Sequence, residues 1–162
     1  GYIPDSGGAG EFRGAVGVLR EYEHTADEAI IQIRSDRNKF LPWGSQGGSS
    51  GTQTRGILNP DTDNIEAPSK FMKDVKAGDV YRSIQAGGGG YGDPFDRDPE
   101  AVLKDIQLEK VTVEHAQEGY GVVISGDLLK IDHSATRELR KRMRQERGPL
   151  EKDPVVTKAV QA

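Results

Sequence analysis

The sequence predicts an α+β fold, with a Gly-rich, mainly β first part and covering helices in the second. Three observations predict it. Seventeen of the 21 glycines fall within residues 1–92. Apolar residues recur at period two in segments 28–34 and 79–85, the signature of half-buried strands. Beyond residue 95 the idiom changes to capped helix starts at Asp98 and Asp132. The expected organisation is a Gly-rich β part over 1–95, a helical part with a short hairpin over 96–147 in the same domain, and an extended tail over 148–162.

The elements follow in order. Gly14–Glu23 reads as a strand whose glycines mark a bulge or a close contact. Glu28–Arg34 places Ala29, Ile31 and Ile33 on one strand face. The stretch from Pro42 to Gly56 holds five glycines and predicts a loop or a set of tight turns. Asp79–Gln85 alternates Val80, Arg82 and Ile84 against Tyr81, Ser83 and Gln85. Asp98-Pro99-Glu100 combines an N-cap, a proline at the first helical position and an acid in the first turn. Val102, Leu103 and Ile106 then share an apolar face. Thr112 is expected to cap a second helix ending at Gly119. Tyr120–Ser125 and Leu128–Ile131 form a hairpin about Gly126-Asp127. Asp132 opens a last helix that stops at Gly148-Pro149, with a narrow stripe of Ala135, Leu139 and Met143.

Composition bounds the function. Only 34% of the 162 residues are hydrophobic and 30% are charged, so the expected core is thin. No run approaches the roughly 18 apolar residues of a membrane span, and no basic segment precedes an apolar one as in a signal peptide. Zero cysteines exclude a disulfide scaffold, thiol catalysis and Cys-ligated zinc; a reducing compartment fits, and a cytoplasmic location is expected. The first residue is Gly and the only methionines are Met72 and Met143, which predicts a start that is processed or cut from a longer chain. Net charge is -4, yet residues 137–162 carry eight basic and four acidic side chains. A basic end on an acidic body suits an acidic partner surface better than nucleic acid.

The loudest motif is Gly87-Gly88-Gly89-Gly90-Tyr91-Gly92-Asp93-Pro94. Consecutive glycines can turn several N–H groups towards an anion, which makes Gly87, Gly88, Gly89 and Gly90 the candidate ligand contacts. The Lys-Ser/Thr of a P-loop is missing, and no helix is expected directly after the run. Close approach of two backbones is therefore the favoured reading. Asp5–Gly10 (DSGGAG) reads as a second such turn, its Asp and Ser bonding their own backbone. His24, His115 and His133 lack the i, i+4 spacing of a helical metal pair. The arginines of 137–147 spread around a helix without interleaved aromatics, a solvated helix with some pairing to Glu138 and Glu146. No catalytic residue and no metal ligand is assigned.

Five blocks recur in a familiar order: Asp5–Ala15, Ser35–Gly48 with Asp36-Arg37 and Pro42-Trp43-Gly44, Pro68-Ser69-Lys70, Gly78-Asp79 with Gly87–Pro94, and Arg97–Val123. Together they resemble the C-terminal portion of the hydantoinase B/oxoprolinase family, the subunit type of N-methylhydantoinase, caprolactamase, and acetone and acetophenone carboxylases. The chain departs from that pattern at Glu11, Ala15, Ala86 and Glu109-Lys110. The resemblance implies a hydantoinase A-type ATP-binding partner and a further hydantoinase B-type part that carries a His/Asp metal site. ATP and a divalent metal are thus expected in partner subunits, with no cofactor in this chain. The leading expectation is a small subunit, or separated C-terminal piece, of an ATP-dependent ketone carboxylase, with a structural and assembly role and no activity alone. The alternatives are a subunit of an ATP-dependent hydantoinase or lactamase, and a non-catalytic binding module.

Overall fold

The computed structural model describes residues 1–126 and 129–150. The fold is α+β, with strands concentrated before residue 85 and helices after residue 98. Strands β1 (Leu19–Glu23), β3 (Arg55–Leu58), β4 (Ile65–Ala67) and β6 (Val80–Ile84) form an antiparallel sheet in the order β1-β6-β3-β4. Strands β2 (Ala29–Arg34) and β5 (Lys70–Val75) pair antiparallel as a separate ribbon, Ala29 opposite Val75 and Arg34 opposite Lys70.

Period-two alternation decides which faces are buried. Ile31 of β2 and Val75 of β5 meet Leu58 and Tyr81 of the larger sheet, with Ala29, Ile33, Ala67 and Phe71 around them. Phe71 and Tyr81 lie 6.1 Å apart with tilted rings, an arrangement aromatic quadrupoles favour. Ile30 and Met72, on the opposite faces, are exposed. The strand expected from Gly14 begins only at Leu19, because Gly14 and Gly17 before it lie against the backbone of Gly88 and Gln85. The stretch beyond Asn59 also holds β4 and β5, and β3 begins at the very end of the segment expected to be loop.

The helices start where capping chemistry places them. Helix α1 (Pro99–Gln107) begins after Asp98, whose carboxylate accepts the Glu100 N–H at 3.1 Å. Helix α2 (Val113–Tyr120) begins after Thr112, whose Oγ1 accepts the His115 N–H at 3.1 Å. Helix α3 (His133–Arg147) begins after Asp132, which accepts the Ala135 N–H at 2.9 Å. The end expected at Gly119 falls instead at Tyr120, and Gly121 takes the left-handed conformation with φ 61°. A glycine inside a helix costs only about 1 kcal/mol, whereas the cap needs the positive φ that glycine tolerates best.

Strands β7 (Ile124–Ser125) and β8 (Lys130–Ile131) form the short hairpin; Asp127 and Leu128 at its tip lie outside the described residues. So does the part of the expected extended tail beyond residue 150. A second core gathers Val102, Val111, Ala116, Tyr120 and Val122 around Ala9 from the glycine-rich N-terminal turn. No helix among the described residues is long and apolar enough to cross a membrane.

Candidate functional site

Segments 6–15, 42–52 and 86–91 run side by side as a layer, and the second of them includes one of the expected tight turns, at Gln46-Gly47, where the Gly48 N–H reaches Ser45 O at 3.0 Å. Their hydrogen bonds pass from segment to segment: Gly8 N to Gly88 O at 2.8 Å, Gly88 N to Ala15 O at 2.8 Å, Gly90 N to Ser49 O at 2.9 Å, and Ser49 N to Ala9 O at 2.7 Å. Glycine is required because the backbones touch. A Cβ on Gly87 would overlap the Ser6 carbonyl, and one on Gly89 would overlap the Trp43 carbonyl. Gly88 is less confined, its nearest neighbour being Ala15 N at 3.1 Å.

The four candidate ligand contacts therefore lie inside this layer. The N–H groups of Gly88 and Gly90 are given to carbonyls, and that of Gly87 to Thr52 Oγ1 at 3.3 Å. A short 3₁₀ turn, Pro94–Asp96, does follow the run, capped by Asp93 accepting the Phe95 N–H at 2.9 Å.

The N-terminal turn is only partly bonded to itself. Ser6 Oγ donates to Ile3 O at 2.6 Å and accepts the Gly17 N–H at 2.7 Å. The Asp5 carboxylate crosses to α2, accepting both the N–H and the hydroxyl of Thr112 at 2.7 Å. Sequence order hides this contact, because 107 positions separate the two residues.

Beside the layer sits a buried charge node. Asp105 on α1 accepts from Arg13 Nε at 3.0 Å, Arg13 Nη2 at 3.2 Å and Arg97 Nη2 at 2.9 Å. Arg97 also donates to Glu11 O at 2.9 Å and lies 6.0 Å over the Tyr120 ring. Burial pushes the Tyr120 phenol up to about 12, and its hydroxyl has no hydrogen-bond partner among the described residues. This node ties Arg13, next to Gly14, to the helices; none of its members stood out in the sequence.

The basic helix α3 is turned inward. Arg140 donates to Tyr120 O at 3.0 Å and Arg97 O at 2.8 Å. Arg144 meets Asp96 at 2.6 Å, and Arg147 grips Asp93 at 2.8 and 2.9 Å. Both guanidiniums stack on Phe95, at 5.8 and 4.8 Å. Burial alone would raise the Asp93 carboxyl, but the Arg147 hydrogen bonds, the Phe95 N–H and the charges of Arg147 and Arg144 outweigh it and hold it below its usual range. The expected solvated helix is thus corrected: Arg142 pairs with Glu146 at 3.8 Å on the exposed side, while three other arginines clamp the helix to residues 93–97.

The histidines are not brought together as a metal centre. His133 lies 3.8 Å from Glu100, His115 packs edge-on against Tyr120, and His24 lines a groove of about 650 Å³ between β2 and the larger sheet. Among the described residues no group of three or more His, Cys, Asp or Glu could hold a metal ion.

Comparison with known proteins places this architecture. The chain is 36% identical over 135 residues to the B component of a putative D-/L-hydantoinase from Pseudomonas sp., covering 82% of this chain and 22% of that one. The crystal structure of the ATP-dependent caprolactamase from Pseudomonas jessenii superposes with a TM-score of 0.73 at 31% identity, over 87% of this chain and 25% of that one. A nucleotide-free acetone carboxylase structure superposes with a TM-score of 0.60 at 24% identity, over 90% and 24%, and shares the fold. The chain spans about a quarter of the length of these relatives. The Hydantoinase B/oxoprolinase model matches residues 1–94, the span holding the whole glycine layer, and the chain belongs to the hydantoinase B/oxoprolinase family.

Proposed function

We propose that the chain is the C-terminal part of a B-type subunit in an ATP-dependent enzyme that hydrolyses a cyclic amide, a hydantoin or a lactam. Its role there is structural: it supplies a rigid unit for assembly, and the reacting groups reside elsewhere in the complex. One observation carries the reaction class, the 31% identity and 0.73 TM-score to the caprolactamase. The structural role has its own support. The inter-segment hydrogen bonds of the glycine layer, the Asp105 node and Arg140, Arg144 and Arg147 of α3 hold this chain together. ATP binding is assigned to a hydantoinase A-type partner, and any divalent metal to the remaining B-type part. Among the described residues no group of three or more His, Cys, Asp or Glu could hold that metal.

The ketone carboxylase expected from the sequence remains the second reading, favoured by the fold shared with acetone carboxylase. ATP turnover of the intact complex separates the two. Stimulation by lactams or hydantoins without bicarbonate is the expected result. Turnover that requires bicarbonate together with a ketone would establish the carboxylase, and stimulation by neither would end both readings.

A further inference from the structure

The edge of the glycine layer presents an aromatic surface that the described residues leave uncovered. Phe12 and Tyr91 exchange backbone hydrogen bonds at 2.9 Å, with rings 6.3 Å apart. Tyr91 in turn bridges Ser45, two residues beyond Trp43. Trp43, Phe12 and Tyr91 are 68%, 62% and 47% exposed. Arg37 holds its guanidinium 5.3 Å over the Trp43 ring, from a left-handed backbone with φ 64°. Such φ values are uncommon for a residue with a Cβ.

This composition is that of an interface centre, where Trp, Tyr, Phe and Arg are enriched. The glycine threads beneath are locked by backbone contacts, so the aromatics are positioned at little further entropic cost. Relatives extend over about four times the matched length, so most of their polypeptide lies outside the unit described here and has to meet it somewhere. On the helical side, by contrast, Arg140, Arg144 and Arg147 of α3 are already engaged within the chain.

We infer that the surface formed by Phe12, Arg37, Trp43 and Tyr91 is the docking face for the remaining hydantoinase B-type polypeptide. The inference rests on the subunit reading above and adds the face through which the two parts join.

Trp43 is the sole tryptophan, so labelling this chain with 5-fluorotryptophan yields one ¹⁹F resonance even in a mixture. The chain is titrated with the remaining B-type polypeptide of its own complex. The resonance should move and lose its H₂O/D₂O isotope shift. Phe12→Ser and Tyr91→Ser should each weaken binding, by about 30-fold for a residue at an interface centre. Circular dichroism of both variants checks that the fold persists, and Phe12, the more exposed of the two, is the variant less able to disturb it. A complex that forms with the resonance and both affinities unchanged overturns this inference and leaves the subunit reading standing. Absence of any complex defeats both. A resonance that shifts with the concentration of this chain alone would assign the face to a second copy and overturn the proposed occupant.

Discussion

Arg147 closes on Asp93 through two parallel hydrogen bonds, Nη1 to Oδ1 at 2.9 Å and Nη2 to Oδ2 at 2.8 Å, across 54 positions of sequence. Because Asp93 also caps the 3₁₀ turn of Pro94–Asp96, one carboxylate ends the glycine run and anchors the last helix. This is the bidentate geometry that makes Arg–carboxylate pairs strong, and Asp93 sits in it nine-tenths buried.

Asp93→Asn keeps the cap but removes the charge. At neutral pH it should cost about 1–2 kcal/mol in urea unfolding, the scale of a hydrogen bond to a charged group. The folded carboxyl lies below its usual value. Its contribution is therefore present above the unfolded pKa of about 3.9 and is lost as pH falls through the folded value. The gap between wild type and variant should close in acid. Lys141→Ala, by contrast, should change stability by less than about 0.5 kcal/mol, as an exposed substitution with no assigned partner. A gap that persists in acid would mean that the charge is not what holds the helix.

Much of the helical half was legible because its signals are local. Asp98, Thr112 and Asp132 each cap within three residues, and alternation in 29–34 and 80–84 declares a buried face without reference to a partner. What stayed illegible is non-local. In β5, exposed Lys73 shares a face with Phe71 and Val75, which breaks the alternation. The arginines of α3 look solvent-facing until Asp93 and Asp96 are placed beneath them. The glycines announce close approach, but nothing in a run of glycines says that Gly87 faces Ser6 while Gly89 faces Trp43.

Position-specific cost within the tetraglycine follows from that last pairing. Gly89→Ala drives a methyl into the Trp43 carbonyl, a backbone atom held in the hydrogen-bonded layer, and should cost about 3 kcal/mol or more. At Gly88 the nearest atom is 3.1 Å away, so Gly88→Ala should be clearly milder. Thermal unfolding and soluble yield order the two. Equal tolerance of both would show that the layer yields where it is drawn as rigid.

Among the described residues, Asp105 is the carboxylate that bonds both Arg13 and Arg97. Asp105→Ala strands two largely buried guanidiniums and should cost about 3–5 kcal/mol, the scale for removing one partner of a buried pair. Asp105→Asn retains an acceptor oxygen and should fall between. Denaturant midpoints for the three proteins test the order, and an alanine variant as stable as wild type would show that water replaces the carboxylate.

Tyr120 makes the opposite prediction, because the group removed has no partner among the described residues. Its ring is fully buried against Val102, Ala116 and Val122, and its hydroxyl is unbonded. A buried hydroxyl without a hydrogen bond costs about 1–3 kcal/mol, so Tyr120→Phe should leave stability unchanged or raise it by about 1 kcal/mol. Burial also lifts the folded phenol to about 12, against about 10 in the unfolded chain. The unfolded state gives up this proton first, so stability that is complete below pH 10 falls as pH rises towards 12. That alkaline loss should be weaker in the phenylalanine variant, which has nothing to ionise. Urea midpoints at neutral pH and between pH 10 and 12 measure both effects. Marked destabilisation at neutral pH would reveal a partner for the hydroxyl, either an ordered water or a group supplied by the rest of the complex.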